Sequence, residues 1–501
     1  MSEESGDVVR RERFSGGPAR GFLSSMEADR RLFEADLAVD RAHVVMLAEQ
    51  GIVPDEEAGE ILGALDDVER AGYDALPEGE DIHSAIETAV IERVGETGGK
   101  MHTARSRNDE VATCLRYRLC EDLLEVLTAT LAFREALVET AEAHTETIMP
   151  GYTHLQPAQP TTVAHWLCSY EQAVARDTER LLDAYGRVNR CPLGAAAFAG
   201  TPFDVDRERT AELLGFDSVV VNSMDASSTR DFLVEVVSAL ANLATTLSGL
   251  AEDLIVFANK GYVELSDDYA STSSIMPQKK NPDTLELVRA SAGDASSGVT
   301  GLLTTLKGLP RAYNRDLQQA TPHAWKTVDQ VREATDVAAG AVATAEWNEE
   351  LLEAAAGEGF STATGVADAL AMQGLPFRTA HELVAIATEH AEQRSAERPV
   401  SGEQSDPRDG SDYAALDAAS KEVLGEPLAE HVSREAIESA LDPESSVASR
   451  DSMGGPAPAA VESALASAKE SITADEEAVA ELENLLDAAA DRREREVRSY
   501  A

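Results

Sequence analysis

The sequence predicts an all-α protein built on a central bundle of long helices. Between Asn108 and Ile148, Val111, Leu115, Leu119, Leu123, Val126 and Leu127 recur at three- and four-residue intervals, with no proline before Pro150. Ala, Leu, Val and Glu are abundant while aromatics make up only 5%, a mix that favours helix over sheet. The one β-like run that stands out is a short "SVVV" at 218–221.

From about Ser25 the apolar spacing is helical almost throughout. Before about residue 105 the helices are short, broken at "GIVPDEE" and "ALPEGEDIH". The 108–148 pattern reads as a helix of roughly 35 residues, about 50 Å long at 1.5 Å per residue. A helix of that length belongs in a long bundle. Similar patterns run over 160–189, 228–260, 282–308 and 321–356. Beyond 357 the helices shorten again around the polar break "RSAERPVSGEQSDPRDGSD", and "DAAADRREREVRSY" reads as a solvated helix end. Three domains are expected: an N-terminal helical domain (1–106), a central bundle (107–356) and a C-terminal helical domain (357–501). No internal repeat stands out.

Charge narrows the partners. The chain carries 91 acidic against 43 basic residues, a net charge of -48. Such a polyanion is repelled by nucleic acid and by anionic membranes, so neither is expected as a partner. Self-repulsion of this size becomes tolerable in molar salt, where the Debye length falls to about 3 Å. The charge therefore describes a salty cytoplasm rather than a function. Cys114, Cys120, Cys168 and Cys191 show no CxxC pair or zinc-ligand spacing and read as structural thiols in a reducing compartment. The first residues lack the apolar run of a signal peptide. No uninterrupted apolar stretch reaches the ~18 residues that span a bilayer, and a cytoplasmic location is expected.

Four stretches are chemically out of character for so acidic a chain. "KMHTARSRNDEV" (100–111) gathers Lys100, His102, Arg105 and Arg107 around Ser106 and Asn108. It reads equally as a bidentate receptor for carboxylates or as a helix start capped by Ser106 or Asn108 with exposed cations. "GYTHLQPAQPTTVAHW" (151–166) reads as a proline-punctuated loop carrying Thr153, His154, Gln156 and Gln159. Its density of hydrogen-bonding groups favours His154 as functional, while His165 falls inside the following helix. "ASTSSIMPQKKNPD" (270–283) places two of only eight lysines beside four hydroxyls, with Asn281 and Pro282 reading as a helix cap and first turn. A serine there becomes usable as a base where an ammonium and backbone N–H groups stabilise its alkoxide; the plainer alternative is a surface loop. "LPRAYNRDLQQATPH" (309–323) is a further polar, cation-bearing break.

Taken together, "SSIMPQKKNP" resembles the signature loop of the fumarase/aspartase superfamily. "HTARSRND", "GYTHLQPAQP" and "QKKNPDTLEL" are similar to the argininosuccinate lyase family in particular. The likeness is collinear, from "ERFSGG" and "SSMEADRRL" to "PFRTAHELV", over roughly residues 10–470. It implies an all-α, three-domain subunit of a homotetramer with a 20-helix core, each active site shared among three subunits, and a halophilic archaeal source. It also implies reversible cleavage of argininosuccinate to arginine and fumarate with no metal or organic cofactor.

By that resemblance Ser273 is the base, Lys279 stabilises charge on the intermediate, and His154 is the catalytic histidine with Glu286 as its partner. Which of Ser273 and His154 takes the proton and which gives it stays open. The implied substrate contacts are Ser25, His83, Arg107, Asn108, Thr153, Asn281, Tyr313 and Gln318. Two positions depart from the pattern: Thr272 stands where glycine is usual, stiffening the loop, and Thr321 stands where a substrate-contacting lysine is frequent. Arg315 is one candidate to replace that cation. Adenylosuccinate lyase, fumarase and aspartase share the mechanism but lack "HTARSRND" as it stands here. A non-catalytic, crystallin-like relative would not need Ser273, His154, Lys279 and Glu286 together, and an acidic scaffold would not explain the lysine pair.

Overall fold

The computed structural model describes residues 18–397 and 411–500. The "ERFSGG" element and the polar break beyond Glu397 lie outside the described residues. The longest described helices of the head are α1 (Phe33–Glu49), α2 (Asp55–Ala71) and α3 (Ile82–Val94). The centre is α4 (Arg107–Ala143), α5 (Val163–Val188), α6 (Asp231–Lys260), α7 (Asp283–Leu306) and α8 (Thr321–Ala343). Each long apolar pattern in the sequence thus becomes a helix, the last ending early because Glu346–Trp347 pairs with Val263–Glu264 as a two-residue strand.

α6 is the one described helix long and apolar enough to cross a membrane, but it packs on α5, α7 and α8 as a bundle core helix. Half of its most apolar window stays uncovered within the single chain. Leu287 and Leu303 of α7 are exposed too.

Three expectations need correction. Most of the stretch 151–166, expected as a loop, belongs to a β-hairpin: Ile148–Thr153 pairs antiparallel with Gln156–Thr162. Its proline-rich ladder carries no two-residue alternation that the sequence could reveal. Second, the helices do not all shorten after 357. A compact second core is formed by α9 (Ala363–Met372), α10 (Phe377–Glu397), α11 (Ser411–Val423) and α12 (Arg434–Leu441). The last helix, α13 (Pro458–Ser499), has 42 residues and returns to pack on α4, α5 and α1. Val461, Leu465, Ile472, Val479 and Val497 join the main core, so packing crosses the boundary expected at 357. Third, the charged end of α13 is solvated on one face but docked on the other. Arg493 is buried and donates to the Leu213 carbonyl at 3.0 Å, and Glu496 meets Arg209 at 2.8 Å. The parallel pair Arg190–Cys191 and Ser218–Val219 accounts for the start of "SVVV".

Candidate active site

α4 starts where the sequence left two readings open, and the structure contains parts of both. Ser106 is the N-cap: its Oγ accepts from Asn108 N at 3.3 Å, while Asp109 accepts from Ser106 N at 2.9 Å. Of the cations, however, Arg105 is sunk and Arg107 half-buried, while Lys100 stays exposed. Arg105 is buried and pairs with Asp40 (2.6 Å) and Glu110 (3.2 Å). Arg107 meets Glu110 (2.9 Å), Glu87 (3.0 Å) and Asp81 (3.8 Å). Lys100 is tied to Glu57. Burial alone would raise the Glu110 carboxyl, but Arg105 and Arg107 hold it down at about 2. His43 is buried, which lowers its pKa to about 3, and its Nε2–H donates to the Thr103 carbonyl at 2.8 Å.

His83 lies beneath this cluster, buried, with Nδ1 2.8 Å from Asp36 Oδ1. Burial opposes its protonation, yet the Asp36 charge and hydrogen bond raise it to about 10, so it is an imidazolium at neutral pH. The expected substrate contact at His83 is therefore a side chain enclosed by its own chain. Ser25 Oγ donates to Asp29 at 2.5 Å and Ser25 N to the Glu80 carbonyl at 2.8 Å. Arg315 reaches the same place, donating to the Leu23 carbonyl and Glu80 Oε1, both at 2.7 Å. That carboxylate commits the candidate substitute for the cation missing at Thr321. Tyr313, half-buried, senses Arg315, Arg230, Asp81 and Glu80. Gln318 follows on the turn Arg315–Gln319, and Asn108 Nδ2 donates to the Ala197 carbonyl at 3.2 Å. One end of the bundle therefore collects Ser25, His83, Arg107, Asn108 and Tyr313.

The other end holds the groups expected to react. The hairpin turn is His154–Leu155, with φ of 57° and 56°. A two-residue turn with both φ positive suits the right-handed twist of the flanking strands but favours Asn-Gly. Placing His and Leu there costs roughly 1–2 kcal/mol per residue and leaves the His154 imidazole, with Thr153, exposed at the tip. Gly151 is required nearby, because a Cβ would stand 2.5 Å from the Gln159 carbonyl. The hairpin is fixed to the end of α6 by Tyr152 Oη against Tyr262 Oη at 3.0 Å and by Lys260 Nζ 5.1 Å from the Tyr152 ring centre. His165, as expected, lies inside α5, bonded to Thr161 Oγ1 and the Gly454 carbonyl.

The signature loop starts from the same end. Ser271–Thr272 pairs antiparallel with Lys280–Asn281. Thr272 therefore sits in a strand, which suits a β-branched residue, and it has no positive φ that would call for glycine. Asn281 is corrected from helix cap to strand residue. Pro282 occupies the cap position with no side-chain bond, and Asp283 accepts from Ser271 Oγ. Ser273 Oγ accepts two backbone N–H groups, Met276 N at 3.1 Å and Ile275 N at 3.4 Å. The lysine pair divides. Lys280 is neutralised by Asp267 (2.8 Å) and Glu264 (3.3 Å), whereas Lys279 is exposed and has no carboxylate partner among the described residues. Glu286 is exposed on the first turn of α7.

α4 has 37 residues and α7 has 24, about 55 and 36 Å at 1.5 Å per residue. Arg107 and the hairpin bearing His154 flank α4; the signature loop and Tyr313 flank α7. The chain thus separates Ser25, His83, Arg107, Asn108, Tyr313 and Gln318 from the expected proton-transfer groups by the length of the bundle, while Thr153 and Asn281 lie with the latter. Arg230, a buried cation with no carboxylate partner among the described residues, does not stand out in the sequence, because nothing in "SSTRDF" reveals that it is unpaired.

A lyase family profile matches residues 21–296, and an argininosuccinate lyase C-terminal profile matches 360–448. The chain is 69% identical to the argininosuccinate lyase of Natronomonas pharaonis over 499 residues, covering 100% of this chain and 98% of that one. It is 65% identical to that of Haloarcula marismortui over 493 residues, covering 98% and 96%. A crystal structure of EDDS lyase in complex with formate superposes with a TM-score of 0.84 at 32% identity, covering 99% and 97%. By this likeness along its whole length, the chain belongs to the argininosuccinate lyase family of carbon–nitrogen lyases.

Proposed function

We propose that the protein catalyses the reversible elimination of argininosuccinate to arginine and fumarate, as a homotetramer in the cytoplasm. One observation carries the chemistry: Ser273 Oγ sits on two backbone N–H groups, with the unpaired Lys279 on the same loop. Those groups stabilise an alkoxide that a serine otherwise does not form at neutral pH. In this reading Ser273 removes the proton from the carbon beside a succinyl carboxylate. Lys279 and Asn281 hold the doubly charged aci-carboxylate that results. The electron pair then forms the C=C bond of fumarate as the C–N bond breaks, and His154 delivers a proton to the departing guanidino nitrogen. Glu286 from a neighbouring subunit holds the imidazole in its active tautomer. Thr153 and the Arg107 end bind the rest of the substrate. Base, charge and leaving-group proton all come from side chains, so the reading calls on no metal or organic cofactor.

The separated half-sites support the tetramer, since an antiparallel copy brings one chain's Arg107 end beside another's signature loop. The uncovered apolar surface of α6 and α7 supplies the face such a copy covers. Five central helices per chain make the 20-helix core that the resemblance implies. In concentrated KCl, the purified protein should release fumarate from argininosuccinate and none from adenylosuccinate, followed by ultraviolet absorbance. Absence of fumarate from the former sinks the reading.

A further inference from the structure

Among the described residues, two buried arginines have carboxylates: Arg105 has Asp40 and Glu110, and Arg134 has Glu171 and Asp475. Arg493 rests on the Leu213 carbonyl instead. Arg230 also has no carboxylate. It precedes α6 and is 3% exposed. Its Nη1 donates to the Thr229 carbonyl at 2.8 Å, its Nε is buried without a partner, and no ion pair reaches it among the described residues. Arg116 on α4 is held likewise by the carbonyls of Arg187 (2.8 Å) and Val188 (3.0 Å) and lies 4.0 Å from the centre of the Phe232 ring. Burial lowers both guanidiniums to about 10, Arg230 further disfavoured by Arg116, and both stay charged at neutral pH. A buried, unpaired guanidinium is strongly unfavourable for folding. With 91 acidic residues in the chain, scarcity of partners does not explain it.

The loop above Arg230 points to what the charge serves. Arg311 Nη1 meets Asp225 Oδ1 at 3.2 Å, docking that loop on the helix Ser223–Ser228 just before Arg230. Tyr313 follows two residues later on that docked loop and is half-buried at the same end of α6 as Arg230. The other cations there are committed: Arg315 to Glu80, Arg311 to Asp225, Arg107 to Glu110 and Glu87. Thr321 adds none.

We propose that Arg230 is a positioning residue which, from behind Tyr313, gives this end of the site its affinity for the α-carboxylate of the substrate's arginine moiety. The inference rests on the proposed function. The succinyl carboxylates belong with Ser273 and Lys279, where the proton is removed, which leaves the α-carboxylate for the opposite half-site. The Tyr313 O–H donates to it, and the fixed charge behind the ring strengthens that donor and offsets the incoming anion.

Arginine and agmatine differ only in that carboxylate, so their inhibition constants against argininosuccinate cleavage read the proposal directly. Arg230→Gln should weaken inhibition by arginine about 10–100-fold and inhibition by agmatine no more than about 2-fold. KM for argininosuccinate should carry most of the loss, and combining Arg230→Gln with Tyr313→Phe should add little to Tyr313→Phe alone. Equal losses for arginine and agmatine, or fully additive effects with Tyr313→Phe, overturn the proposal. Should Arg230→Gln fail to fold, Arg230→Lys carries the test. It should keep the arginine constant within about 3-fold, and an equal loss on both ligands again refutes the role. Wild-type protein that releases no fumarate from argininosuccinate would instead refute the proposed function.

Discussion

At the Arg107 end of the bundle, Arg105 and Arg107 are locked to carboxylates, Ser25 is bonded to Asp29, and His83 is enclosed against Asp36. At the hairpin end, His154, Lys279 and Glu286 are exposed, and Ser273 is held only by its own loop. The difference separates two tasks. A binding surface gains from side chains fixed before the ligand arrives, because their ordering cost is met on folding. Groups that move protons must be free to close on the substrate, and in the proposed tetramer their missing neighbours come from other chains. Removing a group from the fixed end should therefore disturb stability and KM, whereas removing one from the open end should disturb kcat alone.

The largest effect is expected at the open end. Ser273→Ala should lower kcat by about 10³-fold or more, with assembly and Tm unchanged. A fully active variant would remove Ser273 as the base. Lys279→Met should cost about 10²-fold in kcat, again without loss of stability, since no partner is left behind. Arg107→Gln provides the contrast: it strips Glu110 and Glu87 of a buried cation, so Tm should fall together with a rise in KM. Unchanged Tm in that variant would show the fixed end to be looser than drawn.

The His83–Asp36 pair sharpens the contrast through pH. With the imidazolium raised from 6.5 to about 10, the pair contributes fully below pH 6.5. The contribution is lost as pH rises towards 10, by up to about 5 kcal/mol. His83→Gln should flatten that alkaline loss in denaturant titrations, and an unaltered slope would place the titration elsewhere. Smallest is Leu155→Gly at the hairpin turn. Relief of roughly 1–2 kcal/mol of left-handed strain is partly offset by glycine's greater chain entropy of about 0.5–1 kcal/mol. Stability should rise by less than about 1 kcal/mol, while a looser His154 costs a few-fold in kcat, read from paired melting and rate measurements.

The long helices were legible because helical periodicity is a local property and the central stretches have nothing to interrupt it. The candidate residues were legible because cations and histidines stand out against so acidic a background. What failed depended on tertiary context. The hairpin at 148–162 has prolines in its ladder and His154–Leu155 at its turn, so no turn signature marked it. The end of α13, "DAAADRREREVRSY", reads as solvated because its charges hide which face docks, until Arg493 and Val497 are seen buried. Asn281 followed by Pro282 matched a cap pattern, but pairing with Ser271 took precedence. Lys279 and Lys280 are indistinguishable in sequence; only the placement of Glu264 and Asp267 beside Lys280 divides them.

The central claim is that Arg107 and Ser273 act in one site but come from different chains. Ser273→Ala chains, which lack turnover, and Arg107→Gln chains, silent at argininosuccinate far below their raised KM, can be unfolded together, reassembled in concentrated KCl and assayed at that low concentration. With random mixing, about a quarter of the sites should receive both native residues, and fumarate release from argininosuccinate should return to about that fraction of wild type. Reassembled tetramers that contain both chains yet regain no activity would contradict the account, placing both residues in a site built by a single chain.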